Sequence, residues 1–195
     1  MIITKTPYRV SLFGGGTDHP NWYKEFGGEV VSASIDKYCY LTSRILPPFF
    51  DHRYRIAYSK VETVRNLDEI MHPAVREGIR KFASDLCLEI QHHGDLPARS
   101  GVGSSSAFAV GLIHSLQLLK NRKFTKEDLA REAIELEQVD LQENVGSQDQ
   151  IACAYGGFNH ISFESNGEWK ATPIQISAER LGEIEERMVL IYSGV

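Results

Sequence analysis

Alternating, β-branched or aromatic runs at residues 8–13, 29–35, 38–46, 54–58, 87–92, 158–163 and 169–176 predict strands. The first thirty residues read as strand, turn, strand, broken by Gly14-Gly15-Gly16-Thr17-Asp18. Asp36-Lys37 reads as a hairpin turn, Pro47-Pro48 as a stop, and residues 59–72 as loop with a short helical turn. Helical spacing takes over at Val75, Ile79 and Phe82, predicting a helix from His72-Pro73 to about Leu86. A second stripe (Ala109, Leu112, Ile113, Leu116, Leu119) predicts a helix ending near Lys120, with His114 and Gln117 on its wetter side. A third runs from Thr125 to about Leu141 on Leu129, Ala130, Ala133, Ile134 and Leu141, and opens on a capping-box pattern, Thr125-Lys126-Glu127-Asp128. Shorter helices are predicted over 151–155, closed by Gly156-Gly157, and over 177–186, with an apolar strand over 188–192.

Composition narrows the class. With 195 residues, 42% hydrophobic and 24% charged, the chain is long enough to bury a core and has a globular balance. A net charge of −5 without a basic stripe argues against nucleic acid or an anionic membrane surface as partner. No apolar run reaches the length of a membrane span, and the first residues lack a signal-peptide layout. Cys39, Cys87 and Cys153 are odd in number and widely spaced, which predicts buried reduced thiols in a cytoplasmic protein.

Five places carry candidate chemistry. Pro97-Ala98-Arg99-Ser100-Gly101-Val102-Gly103-Ser104-Ser105-Ser106 joins a predicted strand to a predicted helix. Glycines there permit positive φ and close approach of an anion, and the serines open a helix whose N–H groups favour phosphate. The same pattern also suits an ordinary turn with a serine cap, and it lacks the Gly-Lys-Ser/Thr ending of the commonest phosphate loop. Arg9 lies within a strand, where its charge needs solvent or an anion. Asp18 follows the glycines and suits either a turn or a hydroxyl ligand. Glu137 points with the apolar stripe of its helix, so it either reaches water at the stripe's edge or is buried against donors. Asp149 opens the short helix after the turn at 144–147, where it could serve the helix dipole alone.

Taken together these stretches resemble the GHMP kinases, the family of galactokinase, homoserine kinase, mevalonate kinase and phosphomevalonate kinase. Tyr8-Arg9-Val10-Ser11-Leu12-Phe13-Gly14-Gly15-Gly16-Thr17-Asp18 resembles the family's N-terminal motif. The serine loop resembles its phosphate loop, with Val102 for a leucine and Arg99 where glycine is common. Glu137 and Asp149 match its acid pair. The resemblance covers essentially the whole chain. Gly15-Gly16 stand where a galactokinase shows Glu-His; together with Gln148-Asp149-Gln150 and 154–159, they look most like the branch that phosphorylates the anomeric hydroxyl of D-glycero-D-manno-heptose 7-phosphate.

The resemblance implies an α+β fold of the ribosomal protein S5 domain 2-like type, a mixed sheet packed with helices. It implies ATP and Mg²⁺ as cofactors and a small-molecule sugar phosphate as partner. Pro97, Ser100, Gly101, Val102, Gly103, Ser104, Ser105 and Ser106 would cradle the ATP phosphates; Ser105 and Glu137 would ligate Mg²⁺. Asp149 would take the acceptor proton, with Arg9 beside it; Asp18, Gly15, Gly16 and Thr17 would meet the sugar. The adenine side falls loosely around residues 55–85. Nothing after Gly157 resembles the family's C-terminal glycine motif. Residues 1–187 would thus be the ATP-binding domain and 188–195 the start of a truncated second one. A kinase of another acceptor, and a non-catalytic nucleotide- or sugar-binding module, are the alternatives.

Overall fold

A computed structural model describes residues 1–98 and 100–191; Arg99, the unusual residue of the serine loop, and residues 192–195 lie outside the described residues. The fold is α+β. Its strands are β1 (Ile2–Phe13), β2 (Gly28–Ile45), β3 (Tyr54–Ala57), β4 (Val61–Val64), β5 (Leu88–Gly94), β6 (Phe158–Phe163) and β7 (Trp169–Pro173). Its helices are α1 (Pro20–Phe26), α2 (Pro73–Phe82), α3 (Ser104–Leu119), α4 (Lys126–Glu135), α5 (Gln148–Tyr155) and α6 (Ala178–Glu185).

β2 is the spine of a mixed sheet ordered β4-β3-β5-β2-β6-β7. β1 runs antiparallel along one edge of β2. Along the other edge, β6 pairs with residues 28–33 and β5 with residues 39–45. The one parallel pairing among the described strands is β3 with β5. Between the β6 and β5 pairings the neighbouring edge of β2 is met by loops: Ser34 N–H donates to Gly157 O at 2.8 Å and Tyr38 N–H to the Asp95 carboxylate at 2.8 Å. The serine loop leaves the sheet at this gap.

α3 lies against the centre of the sheet and is buried nearly all round. Leu112, Ile113 and Leu116 are fully buried in one cluster with Leu41, Ile56, Leu88 and Ile90 of the strands. Each such side chain contributes about 1.5–3 kcal/mol relative to exposure, which pins the helix firmly. Its approach to β1 is close: a Cβ on Gly111 would lie 2.9 Å from Thr6 Oγ1, and Thr4 Oγ1 donates to Gly111 O at 3.1 Å. A second cluster, Tyr23, Val30, Ala130, Ile151, Ala152, Ile161 and Phe163, holds α1, α4 and α5 over the β6 side.

Several expectations are corrected. The two runs expected at 29–35 and 38–46 form a single strand, β2, instead of a hairpin, because β1 pairs across both of them, from Val31 to Ser43. Asp36-Lys37 falls at a register shift, where Pro7 pairs with Tyr38 and Arg9 with Ser34, so the polar pair marks a bulge. The glycine turn at 14–16 is followed by α1, with Pro20 in its first turn and Gly27 at its end. Within 59–72 a strand, β4, precedes the short helical turn at Leu67–Glu69. Gln117 is buried and His114 is half-buried against Phe124, since α3 has helices behind it as well as the sheet in front. Residues 188–191 form no strand. All three cysteines are free; Cys39 and Cys153 are buried, whereas Cys87 is half-buried.

Candidate active site

The site is assembled at the N-terminus of α3. Gly101 and Gly103 take positive φ (+74° and +71°), and Ser100 Oγ donates to Pro97 O at 2.8 Å, which folds the loop back on itself. Gly103 is the N-cap and no side chain caps the helix. A helix leaves its first-turn N–H groups without intrahelical partners, so those of Ser104, Ser105 and Ser106 face outward with the positive dipole end. Val102, by contrast, is buried and acts as an anchor, its carbonyl accepting the Arg9 N–H at 3.0 Å.

That anchor joins the loop to β1 at its bulge, and Arg9 completes the join through its side chain. Its Nε and Nη2 donate to the two oxygens of Asp149 at 2.8 and 2.6 Å, and its Nη1 to Gly101 O at 2.9 Å. The paired arginine and aspartate come from β1 and the first turn of α5, so the sheet and two helix N-termini converge on one carboxylate. Gly103 is favoured here by its positive φ, and a Cβ would also crowd the pair, lying 3.2 Å from Arg9 Cγ and 3.4 Å from Asp149 Oδ2.

Glu137 is buried, at 2% exposure, and it is turned inward by a π-helical turn over Leu136–Asp140 at the end of α4. A single wide turn of this kind shifts the helical face by a residue and recurs at functional positions. Ser105 Oγ donates to Oε1 at 2.9 Å, Ser106 Oγ to Oε2 at 2.8 Å, and Gln150 Nε2 also donates to Oε2. Burial pushes the Glu137 carboxyl above its ordinary pKa, and these hydrogen bonds pull it back part of the way. Among the described residues no three His, Cys, Asp or Glu side chains converge as a metal cluster. The oxygen set of Ser105 and Glu137 fits a hard ion such as Mg²⁺, which is ordinarily held by one or two carboxylates, waters and substrate phosphates.

The N-terminal motif is arranged as a brace. Thr17 Oγ1 bonds the backbone of Gly14 and Glu29, at 2.8 Å to Gly14 O. Asp18, 1% exposed, accepts from Gly16 N–H (3.0 Å), Gln148 N–H (3.1 Å) and Gln148 Nε2 (3.1 Å). It ties the glycine turn to the start of α5, and Gly146 must be glycine because a Cβ there would sit 1.9 Å from Asp18 Oδ2.

Two cavities flank the serines. One, of about 400 Å³, is bounded by Arg9, Asp149, Asp18, Gln148, Asn144 and the serines. The other, of about 460 Å³, is bounded by Tyr58, His72, His92, Phe108, Glu137 and again Ser104 and Ser105. Both sizes suit small ligands. In the second, the His72 ring stacks on Phe108 at 4.9 Å, with Tyr58 and His92 meeting this pair edge-on. Burial lowers the pKa of both histidines, which keeps them uncharged at neutral pH. Tyr58 and His72 fall within the region expected loosely for the adenine; His92 and Phe108 were not anticipated. Of the sugar-side candidates, Asp18 borders the first cavity and Gly15 an adjoining groove beside Arg9 and Gln148, whereas Gly16 and Thr17 border neither cavity.

This architecture is similar to the N-terminal domain of the GHMP kinases. The family profile described as "GHMP kinases N terminal domain" matches residues 68–157. The chain is 31% identical, over all of its length and 60% of the relative's, to the D-glycero-alpha-D-manno-heptose 7-phosphate kinase of Campylobacter jejuni. It is 29% identical to a galactokinase of Chloroflexus aurantiacus, covering 99% of this chain and 49% of that protein. In structure it is similar to a D-glycero-D-manno-heptose 1-phosphate kinase from Bacteriodes thetaiotaomicron, with a TM-score of 0.87 at 26% identity over 95% of this chain and 63% of that one. The chain thus spans between about half and two thirds of the length of these proteins.

Proposed function

We propose that this chain is the nucleotide-binding and catalytic part of an ATP- and Mg²⁺-dependent kinase that phosphorylates the anomeric hydroxyl of D-glycero-D-manno-heptose 7-phosphate. The observation that carries this reading is the placement of two acids on either side of one helix N-terminus. Glu137 and Ser105 stand on the side of the aromatic cavity; Asp149, paired with Arg9, stands on the other.

Phosphoryl transfer depends on positioning and charge neutralisation more than on covalent chemistry. The N–H groups of residues 104–106, with the loop of Pro97, Ser100, Gly101, Val102 and Gly103, hold the phosphates of ATP. The cavity of Tyr58, His72, His92 and Phe108 takes the nucleoside. Ser105 and Glu137 hold Mg²⁺, which when bound neutralises phosphate charge. Asp149 receives the proton of the attacking sugar hydroxyl, and Arg9 orients it and faces the transferring group. Asp18 uses its remaining lone pairs for a sugar hydroxyl, its orientation fixed by three N–H donors.

The heptose assignment is supported by the Campylobacter jejuni relative and by Gly15-Gly16 in the first motif. A binding module without catalysis has no use for Asp149, and its pairing with Arg9 favours the kinase. Three free thiols suit the reducing cytoplasm. Residues 188–195 are assigned to the start of a second domain, supported by the exposed apolar side chains of Met188, Val189, Leu190 and Ile191. An acceptor panel of heptose 7-phosphate, galactose and mevalonate, with ³¹P NMR of the product, tests the assignment. A new anomeric phosphate on the heptose is expected; transfer only to galactose or mevalonate overturns the substrate.

A further inference from the structure

Gln150 follows the proposed base in sequence, and its side-chain amide is directed to Glu137. It is fully buried, at 0% exposure, and its Nε2 donates to Oε2 of Glu137. Its own carbonyl, Oε1, is buried without any hydrogen-bond partner. Leaving a buried acceptor unmet is unfavourable, and an apolar side chain of the same length would avoid it. The amide is therefore hard to explain as packing. It is explained by what its N–H does.

The donors on Glu137 are distributed unevenly. Oε2 is held by Ser106 and Gln150, both buried; Oε1 is held by Ser105 alone, the exposed serine on the cavity wall. We propose that Gln150 is a positioning residue for the metal site: with Ser106 it pins Oε2, so that Glu137 offers Oε1 beside Ser105 Oγ as a one-oxygen ligand to Mg²⁺. The proposal rests on the kinase reading above. It adds a division of labour among the three serines: Ser105 acts as a ligand, Ser106 as a pin and Ser104 through its backbone. It also accounts for a glutamine on α5, since that helix delivers Asp149 one residue earlier and so sets base and metal ligand in one rigid piece. Outer-shell partners of metal ligands typically change affinity by about 10–100-fold when removed.

The test compares dissociation constants of a fluorescent ATP analogue in EDTA and in saturating Mg²⁺, for the wild type, Gln150→Met and Ser106→Ala, with unfolding temperatures measured metal-free. Gln150→Met keeps the side-chain length and removes both the N–H and the orphan carbonyl; Ser106→Ala removes the other pin with little change of volume. Gln150→Met is expected to bind the metal-free analogue within about two-fold of wild type, and in both variants the gain conferred by Mg²⁺ shrinks roughly 10-fold or more. If both keep the full metal-dependent gain, the positioning role is wrong and the kinase reading stands. If they weaken metal-free and metal-loaded binding alike, in step with a lower unfolding temperature, Gln150 is merely structural and the proposal fails. If the wild type binds the analogue in neither condition, the kinase reading falls and the proposal with it.

Discussion

Arg9 and Asp149, from the first strand and the fifth helix, form a two-pronged ion pair of 2.8 and 2.6 Å at the mouth of the serine loop. The third donor of the same guanidinium, Nη1, holds Gly101 O, so one side chain links the proposed base to the proposed phosphate cradle. Forked pairing of this kind fixes orientation as well as charge. The carboxylate is held in one pose while only half-buried, as its proposed role toward a sugar hydroxyl requires.

Replacing Asp149 with asparagine keeps the shape and removes the proton acceptor. Turnover is expected to fall by at least about 10²–10⁴-fold, the usual contribution of a general base. Binding of Mg-ATP should stay within a few-fold of wild type, because Asp149 lines the cavity proposed for the acceptor. Titration calorimetry beside a coupled ADP assay separates the two quantities.

Arg9→Lys retains a positive charge and loses the fork. A single ammonium cannot reproduce the planar fork on both Asp149 oxygens together with the contact to Gly101 O. A fall in kcat of about 10²-fold is expected, the scale of one lost electrostatic donor, with a smaller change in the KM for ATP. Steady-state kinetics of the variant check this split.

Glu137 carries a pH signature. Burial raises its folded pKa above the unfolded value, so the folded state binds the proton more tightly over the interval between them. Its contribution to stability is fully present below the ordinary glutamate pKa and is lost as pH rises through the raised folded value. Glu137→Gln should remove that loss, so that the variant's stability declines less than the wild type's above the ordinary carboxylate range. At pH 7 a gain of about 0.5–2 kcal/mol is expected, the size common for relief of a functional constraint, together with loss of metal-dependent nucleotide affinity. Urea unfolding of both proteins from pH 4 to pH 8 measures it.

Gly103→Ala places a methyl group at φ +71°, against Arg9 Cγ at 3.2 Å and Asp149 Oδ2 at 3.4 Å. The left-handed conformation alone costs about 1–2 kcal/mol for a residue with a side chain. Chemical denaturation should show at least that loss. Turnover should fall further than stability, since the displaced groups are Arg9 and Asp149.

Local pattern revealed much of this arrangement. The strand-loop-helix passage through the serines, the capping box at Thr125 and the glycine closure of α5 depend on neighbouring residues, and each is found where spacing places it. The inward turn of Glu137 was one of two readings of its stripe position, and the structure resolves it as burial against three donors. What escaped depends on partners far along the chain. Asp36-Lys37 looks like a turn until β1 lies beside it, and the π-helical turn at Leu136–Asp140 leaves no mark on apolar periodicity. The aromatic cavity draws Tyr58, His72, His92 and Phe108 from four separate segments, so no local motif announces it. α1 did carry a signal, Pro20 and Gly27 framing a short helix, which the glycine turn before it obscured.

The most direct measurement is ADP release from Mg-ATP in the presence and absence of D-glycero-D-manno-heptose 7-phosphate, for wild type and Asp149→Asn side by side. The account predicts release that depends on the sugar, is abolished by EDTA and is lost in the variant. Sugar-dependent release that persists unchanged in Asp149→Asn would contradict it, because the carboxylate held by Arg9 would then have no part in the transfer.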